Sequence, residues 1–591
     1  MRSVRTTTRR LSAAAAAVAA AAALTACTAT ETTEEATASS AAAEVAAAEA
    51  TEAAEATEED DVEEEDSGVV AAEAVAGEDV AAAMAANLAY EAGEISEEAD
   101  TTITLTGDGA SVQGEGVSVE GSTITITSPG SYRVTGTLQD GAIVVDSAAE
   151  GAVSIVLDGA DLTSSTTSPL QVTEADSVVV VLADGTSNSL TDATEYVYPD
   201  AETDEPNAAL FSTADLTIGG TGSLTVTGNS NDAIASKDGL VIAGGDITVD
   251  AVDDGVRGKD YLVMTGGSLT VTSGGDGLKA DDDEDATAGY IALLGGAVEV
   301  TAGDDALTAV TDVIVGAASL TATADDGAAS DSGAKGLVGD VSVVIGEGAE
   351  VAVTATDDAV HAGGAATIGG GTVTLASGDD AIHSDGSVTL SGGTATVTEA
   401  YEGVEGATIA FTGAEVSITA TDDGVNAASD TAAERWIEIT GGTLEVLSEG
   451  DGIDANGSIT MTGGDVLVFG PTTDREGALD ADDGLVVEGG TLLAIGAAGM
   501  AVAPTTDSAQ GWLSAEVAAA AGSTITVLDA EGSELVSVQT PKTAGSVVYS
   551  AADVEYSATY TVSVDGAETT VTAGEHTGGT GGGGMAGGGR P

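Results

Sequence analysis

A short acidic phrase recurs through the middle of this chain, and its carboxylates are the residues best suited to chemistry. The phrase reads as an acidic pair, Gly or Ala, an aliphatic residue, a variable residue and a small residue. Its clearest copies span 253–258, 357–362, 379–384 and 422–427. Looser copies occur at Asp232, Asp276, Asp305, Asp326, Glu402, Asp451 and Glu476. Self-similarity with a commonest spacing of 22 residues indicates a solenoid, in which each repeat forms one coil.

Stacked carboxylates create an electrostatic problem that cations would solve. Successive coils of a β-solenoid lie about 4.8 Å apart, so neighbouring carboxylates repel by roughly 1 kcal/mol even at the dielectric constant of water. Calcium (Ca²⁺) prefers six to eight oxygen ligands from carboxylates, carbonyls and water. The densest acidic patch, 281–285, follows Asp276 closely. We therefore predict Ca²⁺ between coils, with ligands among Asp232, Asp253, Asp254, Asp276, Asp281, Asp283, Asp304 and Asp305.

A simpler interpretation of the acidic pairs stays open. An Asp at a turn often accepts a backbone N–H, and Asn or Ser would serve as well there. A generally acidic surface is also typical of proteins from salty habitats. Most copies nevertheless keep Asp or Glu rather than Asn. That choice favours a metal, in a structural rather than a catalytic role.

The residue after each repeated aliphatic forms a variable column that should face solvent. Its early members are basic, and its later members are acidic or amide. We predict sugar contacts from Lys237, Arg257, Lys259, Lys279 and Tyr261. Equally, these cations could simply neutralise nearby Asp residues. His361 and His383 lie one coil apart in this column; two stacked imidazoles could bind a transition metal, but no third ligand is evident in the sequence.

The elements that position these residues are short strands. Residues 240–257 hold three stretches of period-2 alternation, separated by a Gly pair and by the acidic turn. Glycine allows the positive φ that a sharp corner requires. Three strands in about 22 residues predict an all-β parallel β-helix rather than a propeller, whose blades need about 40 residues. The predicted inward column is Ile234, Val256, Leu278, Leu307, Ala328, Val360, Ile382, Val404, Val425, Ile453 and Leu479.

The two ends of the chain predict targeting and covering segments. Residues 1–27 join a basic start to an Ala-rich run that ends at Cys27, the only Cys, which is typical of a secretory signal. A Cys in that position resembles a bacterial lipobox, so we expect a lipoprotein signal peptide with Cys27 lipidated; the alternative is an ordinary signal with an incidental Cys. Lipidation would place the protein on the outer face of a bacterial cell membrane. Residues 28–99 predict an acidic Ala/Glu/Thr-rich tether, in which 68–99 could form a weak helix, best at 80–90. The β-helix should span 100–501, a C-terminal β cap or small sandwich 502–575, and a Gly-rich disordered tail 576–591.

Several of these stretches resemble a known family. The segments 130–138, 155–162, 182–190, 204–210, 231–238 and 253–260 resemble those of bacterial carbohydrate-binding proteins built as right-handed, calcium-bearing parallel β-helices that look like pectate lyases. The resemblance covers about residues 100–575. It implies binding of cellulose-like or acidic, pectin-like polysaccharide, with Ca²⁺ held by Asp residues of the helix turns. The formal net charge of −85 makes nucleic acid and anionic lipid poor partners.

Three functions from different classes fit the sequence. The leading hypothesis is a cell-surface lipoprotein that binds polysaccharide without cleaving it. A calcium-dependent polysaccharide lyase is the alternative, since Arg257, Lys259 or Lys279 could remove a proton from a uronate held by a cation. A structural surface adhesin or spacer is the third, and it predicts no saturable glycan binding.

Overall fold

The computed structural model describes residues 74–200, 203–325, 333–429 and 431–576. The expected signal peptide, Cys27, the first part of the expected tether (28–73) and nearly all of the expected tail (577–591) lie outside these ranges. Within the described residues, no helix is long and apolar enough to cross a membrane.

The described chain begins with one short helix and then consists of strands. The N-terminal elements are α1 (Val80–Ala86), β1 (Thr101–Gly107), β2 (Ala110–Gln113), β3 (Val117–Glu120), β4 (Thr123–Ile126) and β5 (Gly130–Leu138). The central strands are β6 (Ala142–Asp146), β7 (Val153–Thr163), β8 (Leu170–Glu174), β9 (Val178–Leu182), β10 (Ser187–Thr191), β11 (Ala208–Ser212), β12 (Leu216–Gly220), β13 (Ser223–Gly228), β14 (Asp232–Ser236), β15 (Leu240–Ile242), β16 (Asp246–Ala251), β17 (Val256–Gly258), β18 (Tyr261–Met264), β19 (Ser268–Ser273), β20 (Leu278–Ala280), β21 (Tyr290–Leu293), β22 (Ala297–Ala302), β23 (Leu307–Ala309), β24 (Asp312–Val315), β25 (Ser319–Ala324), β26 (Leu337–Gly339), β27 (Ser342–Ile345), β28 (Glu350–Thr354), β29 (Val360–Ala362), β30 (Ala365–Ile368), β31 (Thr372–Ala376), β32 (Ile382–Leu390), β33 (Thr394–Glu399), β34 (Val404–Phe411), β35 (Glu415–Ala420), β36 (Val425–Ala427), β37 (Trp436–Ile439), β38 (Thr443–Ser448), β39 (Ile453–Ala455), β40 (Ser458–Met461), β41 (Asp465–Phe469), β42 (Gly484–Val487) and β43 (Thr491–Gly496). The last strands are β44 (Trp512–Ala519), β45 (Thr524–Leu528), β46 (Glu534–Gln539), β47 (Ala544–Ser550), β48 (Thr559–Val564) and β49 (Ala567–Thr572).

The central strands stack into three parallel sheets, which confirms the predicted parallel β-helix. Sheet A, entered directly after each acidic turn, contains β4, β6, β8, β11, β14, β17, β20, β23, β26, β29, β32, β34, β36 and β39. Sheet B contains β7, β9, β12, β15, β18, β21, β24, β27, β30, β32, β34, β37, β40 and β42. Sheet C contains β7, β10, β13, β16, β19, β22, β25, β28, β31, β33, β35, β38, β41 and β43. Each coil therefore runs from A to B to C, and the acidic turn leads from C to the next A strand.

The inward column of sheet A forms one face of a continuous apolar core. Its members are 0–2% exposed, and they pair in register from coil to coil, as in Val256 with Leu278 and Leu278 with Leu307. One assignment was wrong: Leu337, not Ala328, occupies the column between Leu307 and Val360. The mistake arose because this coil is longer than most: Leu307 and its partner Leu337 are 30 residues apart, whereas the commonest step between inward positions is 22.

The Gly pairs make the corner between sheets B and C, as predicted. At Gly267 the backbone adopts φ +89°, and a Cβ there would lie 2.6 Å from the carbonyl oxygen of Gly245 one coil earlier. Both the conformation and the space therefore require glycine at this corner.

Residues 74–99 form an N-terminal strap rather than a tether, which corrects the second part of that prediction. Helix α1 is capped by Asp79, whose Oδ1 accepts the N–H of Ala82 at 2.9 Å. Its buried face places Ala83, 0% exposed, against sheet B beside Ile314 and Val344. This packing was not predicted because the strap is rich in Ala and Glu, and only a few of its apolar side chains contact sheet B.

The N-terminal strap continues along sheet B toward earlier coils and hydrogen-bonds to several of the coils that it passes. Asn87 Nδ2 donates to Asp312 Oδ2 at 2.6 Å, the Tyr290 hydroxyl donates to the Leu88 carbonyl at 2.7 Å, and the N–H of Gly93 donates to Thr217 Oγ1 at 2.9 Å. The strap thus covers the outward apolar face of sheet B, and residues such as Tyr261 and Val263 are buried beneath it.

The C-terminal region covers the last coils. Strand β47 pairs antiparallel with β43 and β44 and so closes the end of sheet C. The four-stranded antiparallel sheet β46-β45-β48-β49 shares a second apolar cluster with Phe469, Leu493 and Ile495 from the outer side of that sheet. Terminal coils of a solenoid need such covering.

Candidate functional site

The second acidic residue of each turn forms an acidic column, whose members are Asp232, Asp254, Asp276, Asp305, Asp358, Asp380, Glu402, Asp423 and Asp451. One oxygen of most of these carboxylates has a structural task. Asp254 Oδ1 accepts the N–H of Asp276 at 2.9 Å, and Asp358 Oδ1 accepts the N–H of Asp380 at 3.1 Å. Asp423 Oδ1 likewise accepts the N–H of Asp451 at 2.6 Å. These carboxylates therefore accept backbone N–H groups at the turns, as the simpler interpretation expects. This interaction uses one oxygen and leaves the second oxygen available to a cation.

Side-chain cations neutralise the early and middle coils of the acidic column. Lys279 Nζ lies 3.1 Å from Asp254 Oδ2 and 2.8 Å from Asp276 Oδ2. Lys335 Nζ lies 2.5 Å from Asp357 Oδ1 and 3.1 Å from Asp358 Oδ2. These contacts raise the pKa of both lysines. Each ammonium therefore stays charged at neutral pH between two carboxylates.

Lys335 was missed by the sequence reasoning. It stands at the acidic-column position of its own coil, since its N–H donates to Asp305 Oδ1 at 2.7 Å. It was not predicted as a site residue because a Lys replaces the acidic residue at this position of the repeat. The available signal was the segment 336–339, which repeats the Gly, aliphatic, variable, small pattern after a Lys.

The other predicted sugar contacts are also engaged within the protein. Arg257 donates from Nε and NH2 to Asp281 at 3.0 and 2.5 Å, and Lys237 Nζ lies 2.7 Å from Glu205 Oε1. Lys259 Nζ lies 3.5 Å from Asp282 Oδ2. Each of these basic side chains therefore pairs with a carboxylate of the protein, which agrees with the neutralising interpretation.

Tyr261 does not suit the sugar-contact role predicted for it. It is 3% exposed, its ring lies 5.8 Å from that of Tyr290, and its hydroxyl donates to Asp215 Oδ1 at 3.2 Å. The N-terminal strap covers both rings. The outward residues of sheet B are apolar because the strap packs on them. The residue alternation within a single coil did not indicate that this face is covered.

The predicted metal ligands divide into two groups. Asp253, Asp254, Asp276, Asp304 and Asp305 belong to the turns between sheets C and A, and Asp232 begins strand β14 directly after such a turn. Asp281 and Asp283 instead follow β20, in the loop between sheets A and B. In that loop Asp281 pairs with Arg257, and Asp282 Oδ1 accepts the N–H groups of Glu284 and Asp285 at 2.8 and 3.0 Å. The dense patch is thus separate from the acidic column.

Among the residues that the structure describes, no Lys or Arg pairs with the acidic column after Asp380. Burial first, and then repulsion from Asp451, raises the pKa of Asp423 to about 8. Burial and neighbouring carboxylates raise the pKa of Asp451 to about 7 and that of Asp454 to about 6. Ligand oxygens of these three residues lie within 4.8 Å of one another. We call Asp423, Asp451 and Asp454 the late acidic cluster.

These residues meet the requirements of a hard divalent cation. The late acidic cluster supplies three carboxylates, the donor type that Ca²⁺ prefers, at a place without a compensating charge. At the other end, Asp232 is 1% exposed and its Oδ2 has no hydrogen-bond partner in the described structure. A buried carboxylate oxygen left in this way is costly unless a cation or a donor meets it. The charges of Asp254, Arg257 and Asp253 all act on Asp232, and its unpartnered Oδ2 makes this carboxylate a second candidate for contact with a cation.

The two histidines of the variable column stack on adjacent coils. Their ring centroids lie 5.0 Å apart, and the ring planes differ by 4°. His361 Nδ1 lies 2.8 Å from Asp358 Oδ2. His383 Nδ1 lies 2.9 Å from Asp380 Oδ2 and 3.0 Å from Glu405 Oε2. Hydrogen bonds to these two carboxylates raise the pKa of His383 to about 11.

Comparison with known proteins places this architecture in a family. The family profile described as carbohydrate-binding domain-containing protein matches residues 120–381 and 379–577. A carbohydrate-binding domain-containing protein of Acetivibrio thermocellus is 43% identical over 128 residues, which is 22% of this chain and 45% of that relative. The match thus spans less than half the length of that relative.

A solved structure gives a second comparison. The gadolinium derivative of a polysaccharide lyase-like protein from C. thermocellum is 35% identical, covers 38% of this chain and 91% of its own, and has a TM-score of 0.36. Because the family profile matches most of the described solenoid and its C-terminal region, this chain belongs to the family of carbohydrate-binding domain-containing proteins.

Proposed function

We propose that this protein binds an acidic, uronate-type polysaccharide through divalent cations held on the acidic column, without cleaving it. The observation that carries the proposal is the late acidic cluster, a group of carboxylates with no Lys or Arg partner among the described residues, in a chain of formal net charge −85. A bound Ca²⁺ would satisfy these oxygens and keep coordination positions for water or for a ligand carboxylate. The family membership supports a polysaccharide as the partner.

The charge distribution favours cation bridging over direct binding by basic side chains. Arg257, Lys279 and Lys335 are each paired with carboxylates of the protein. A polyanion approaching these coils would have to displace such pairs. At the late acidic cluster, a carboxylate of the polyanion would instead coordinate a Ca²⁺ ion that also stabilises the folded protein.

An exposed aromatic ring lies beside the late acidic cluster. Tyr401 is 46% exposed, and its hydroxyl hydrogen-bonds the carboxylate of Asp422 in the next turn. Tyr rings offer an apolar face to sugars together with a polar hydroxyl. Tyr401 therefore provides a contact for a sugar ring within the same part of the solenoid.

The lyase alternative finds less support in the geometry. A proton-abstracting Lys must be neutral at the working pH, with its pKa lowered toward that pH. The two carboxylates beside Lys279 raise its pKa instead, and carboxylates likewise raise that of Lys259. Arg257 is held by two hydrogen bonds to Asp281.

We further propose that the protein works at the cell surface. The segment 1–27 has the features of a lipoprotein signal that ends at Cys27. Acylated Cys27 would hold the solenoid at the outer face of the membrane, and residues 28–73 would span the distance to the N-terminal strap.

The test is binding to polygalacturonate, cellulose and a neutral xylan, each in Ca²⁺ and in EDTA, for the protein and two double variants. We expect saturable, Ca²⁺-dependent binding to polygalacturonate. Asp423→Asn with Asp451→Asn should weaken it at least about tenfold, or about 1.4 kcal/mol. The matched control, Glu299→Gln with Glu350→Gln, removes two exposed charges from sheet C and should leave binding unchanged.

Other outcomes would contradict this proposal in different ways. Binding that persists in EDTA would remove the cation from the mechanism. A steadily growing ultraviolet absorbance of unsaturated product would favour a lyase. No saturable binding to any of the three polysaccharides would favour a structural adhesin or spacer.

A further inference from the structure

The stacked histidines differ in one respect that matters for metal binding. Each Nδ1 faces the acidic-column carboxylate of its own turn. Only His383 also meets a carboxylate from the following coil, because Glu405 is its register partner in sheet A. One ring nitrogen therefore lies between two carboxylate oxygens, at 2.9 and 3.0 Å.

This convergence supplies the third ligand that the sequence did not reveal. Ligand atoms of Asp380, His383 and Glu405 lie within 4.8 Å of one another. Asp380 is 5% exposed, and both it and Glu405 contact the same ring nitrogen of His383. We propose that Asp380, His383 and Glu405 form a binding site for a borderline transition-metal ion of the Zn²⁺ class.

The donor set and its charge favour Zn²⁺ over Ca²⁺. A neutral imidazole suits zinc and related metals, whereas Ca²⁺ takes oxygen ligands. Two carboxylates and a neutral imidazole balance the charge of one divalent ion. With Zn–N and Zn–O bonds of about 2.0–2.2 Å, the donors of a tetrahedral ion lie about 3.3 Å apart. The observed separations need to open by only a few tenths of an ångström.

A further oxygen lies next in the same column. Asn426 is the register partner of Glu405. Its Nδ2 donates to Glu402 Oε2 at 3.0 Å, whereas its buried Oδ1 has no partner among the described residues. This amide oxygen is the candidate for a fourth ligand, with water as the alternative. His361 stacks on the other face of the ring, and its Nδ1 is already held by Asp358.

The site is separate from the late acidic cluster that carries the proposed polysaccharide function, since it involves a different set of residues and another class of ion, although Asp380 also belongs to the acidic column. The ion would take the place of the proton that His383 shares with its two carboxylates. Zn²⁺ binding should therefore release protons, which calorimetry in buffers of different ionisation enthalpy would detect.

The experiment is Zn²⁺ titration of the full chain in excess Ca²⁺, followed by native mass spectrometry and by the visible spectrum of the Co²⁺-substituted protein. We expect one ion per chain in the presence of Ca²⁺. His383→Gln and Glu405→Gln should each weaken Zn²⁺ binding about 100-fold or more, beyond the effect typical of losing an outer-shell partner. The matched control His361→Gln, one coil away in the same column, should keep affinity within about threefold, well below that effect.

Two results would overturn the proposal. One is the absence of a bound Zn²⁺ once Ca²⁺ is in excess, which would mean that the ion binds only as a general counterion to the acidic surface. The other is binding that survives in both the His383 and the Glu405 variants, or that disappears in His361→Gln. Glu405→Gln preserves shape, so its result stays informative even if a His383 variant folds poorly.

Discussion

In EDTA, the unfolding midpoint of this protein is expected to fall as the pH rises from about 5 to about 8, and millimolar Ca²⁺ is expected to restore it. Burial and like-charged neighbours raise the pKa of Asp423 to about 8 and the pKa of Glu402 to about 7 in the folded chain. The unfolded values lie near 4. The folded protein thus holds more protons than the unfolded chain between these limits.

The sign of the effect follows from this difference in bound protons. The free energy of unfolding decreases with pH wherever the folded state binds more protons. The stabilisation from a carboxyl of raised pKa is therefore fully present below about pH 4 and is lost as the pH rises through the folded value. A pKa difference of one corresponds to about 1.4 kcal/mol, so Asp423 and Glu402 together should cost at least roughly 3 kcal/mol by pH 8.

Calcium should oppose this loss because it binds the ionised carboxylates of the folded chain. At a concentration one hundred times the dissociation constant, one ion adds about 2.7 kcal/mol to the free energy of unfolding. The measurement is thermal unfolding followed by circular dichroism at several pH values in EDTA and in Ca²⁺, with Mg²⁺ and high NaCl as controls for general screening. Equal midpoints in EDTA and Ca²⁺ at pH 8 would contradict the expectation.

Replacing Lys279 by Met should destabilise the protein by about 2–3 kcal/mol. Removing one partner of a buried ion pair costs about 3–5 kcal/mol, because the other charge stays buried without compensation. The Lys279 side chain is 30% exposed and those of Asp254 and Asp276 are 11% exposed, which reduces the loss. Urea unfolding at neutral pH measures it.

Lys237→Met is the matched control for that substitution. Lys237 also pairs with a carboxylate, that of Glu205, but both side chains are 40% exposed, and such surface pairs contribute about 0–1 kcal/mol. The effect of Lys279→Met should also shrink in Ca²⁺, since an ion can take the place of the ammonium group. Equal destabilisation by the two variants would show that the acidic column does not need its cations.

The fold could be predicted from the sequence because each coil repeats the same physical requirements. An aliphatic residue must point inward after each acidic turn, as Val256 and Leu278 do, and a Gly such as Gly267 must make the corner between sheets B and C. A repeated pattern is robust against single exceptions. It failed at Ala328, where one coil is longer than most and Leu337 took the inward position.

The site was only partly predictable, because its contacts join residues of different coils and loops. The acidic column followed from the repeat, but the pairing of Arg257 with Asp281 depends on the path of the loop after β20. Lys335 stands where most other coils have an acidic residue, so the acidic repeat did not predict it. The strap over Tyr261 is specified by a few small apolar residues, such as Ala83, whose partners lie more than 200 residues away.

The most direct test of the central claim is a crystal structure of the protein grown in millimolar Ca²⁺, with the anomalous signal of the ion recorded. If Ca²⁺ occupies the acidic column, anomalous peaks should lie about 2.3–2.6 Å from carboxylate oxygens of Asp423, Asp451 and Asp454, and from Asp232 Oδ2. Well-ordered density along the acidic column that contains water alone would contradict it.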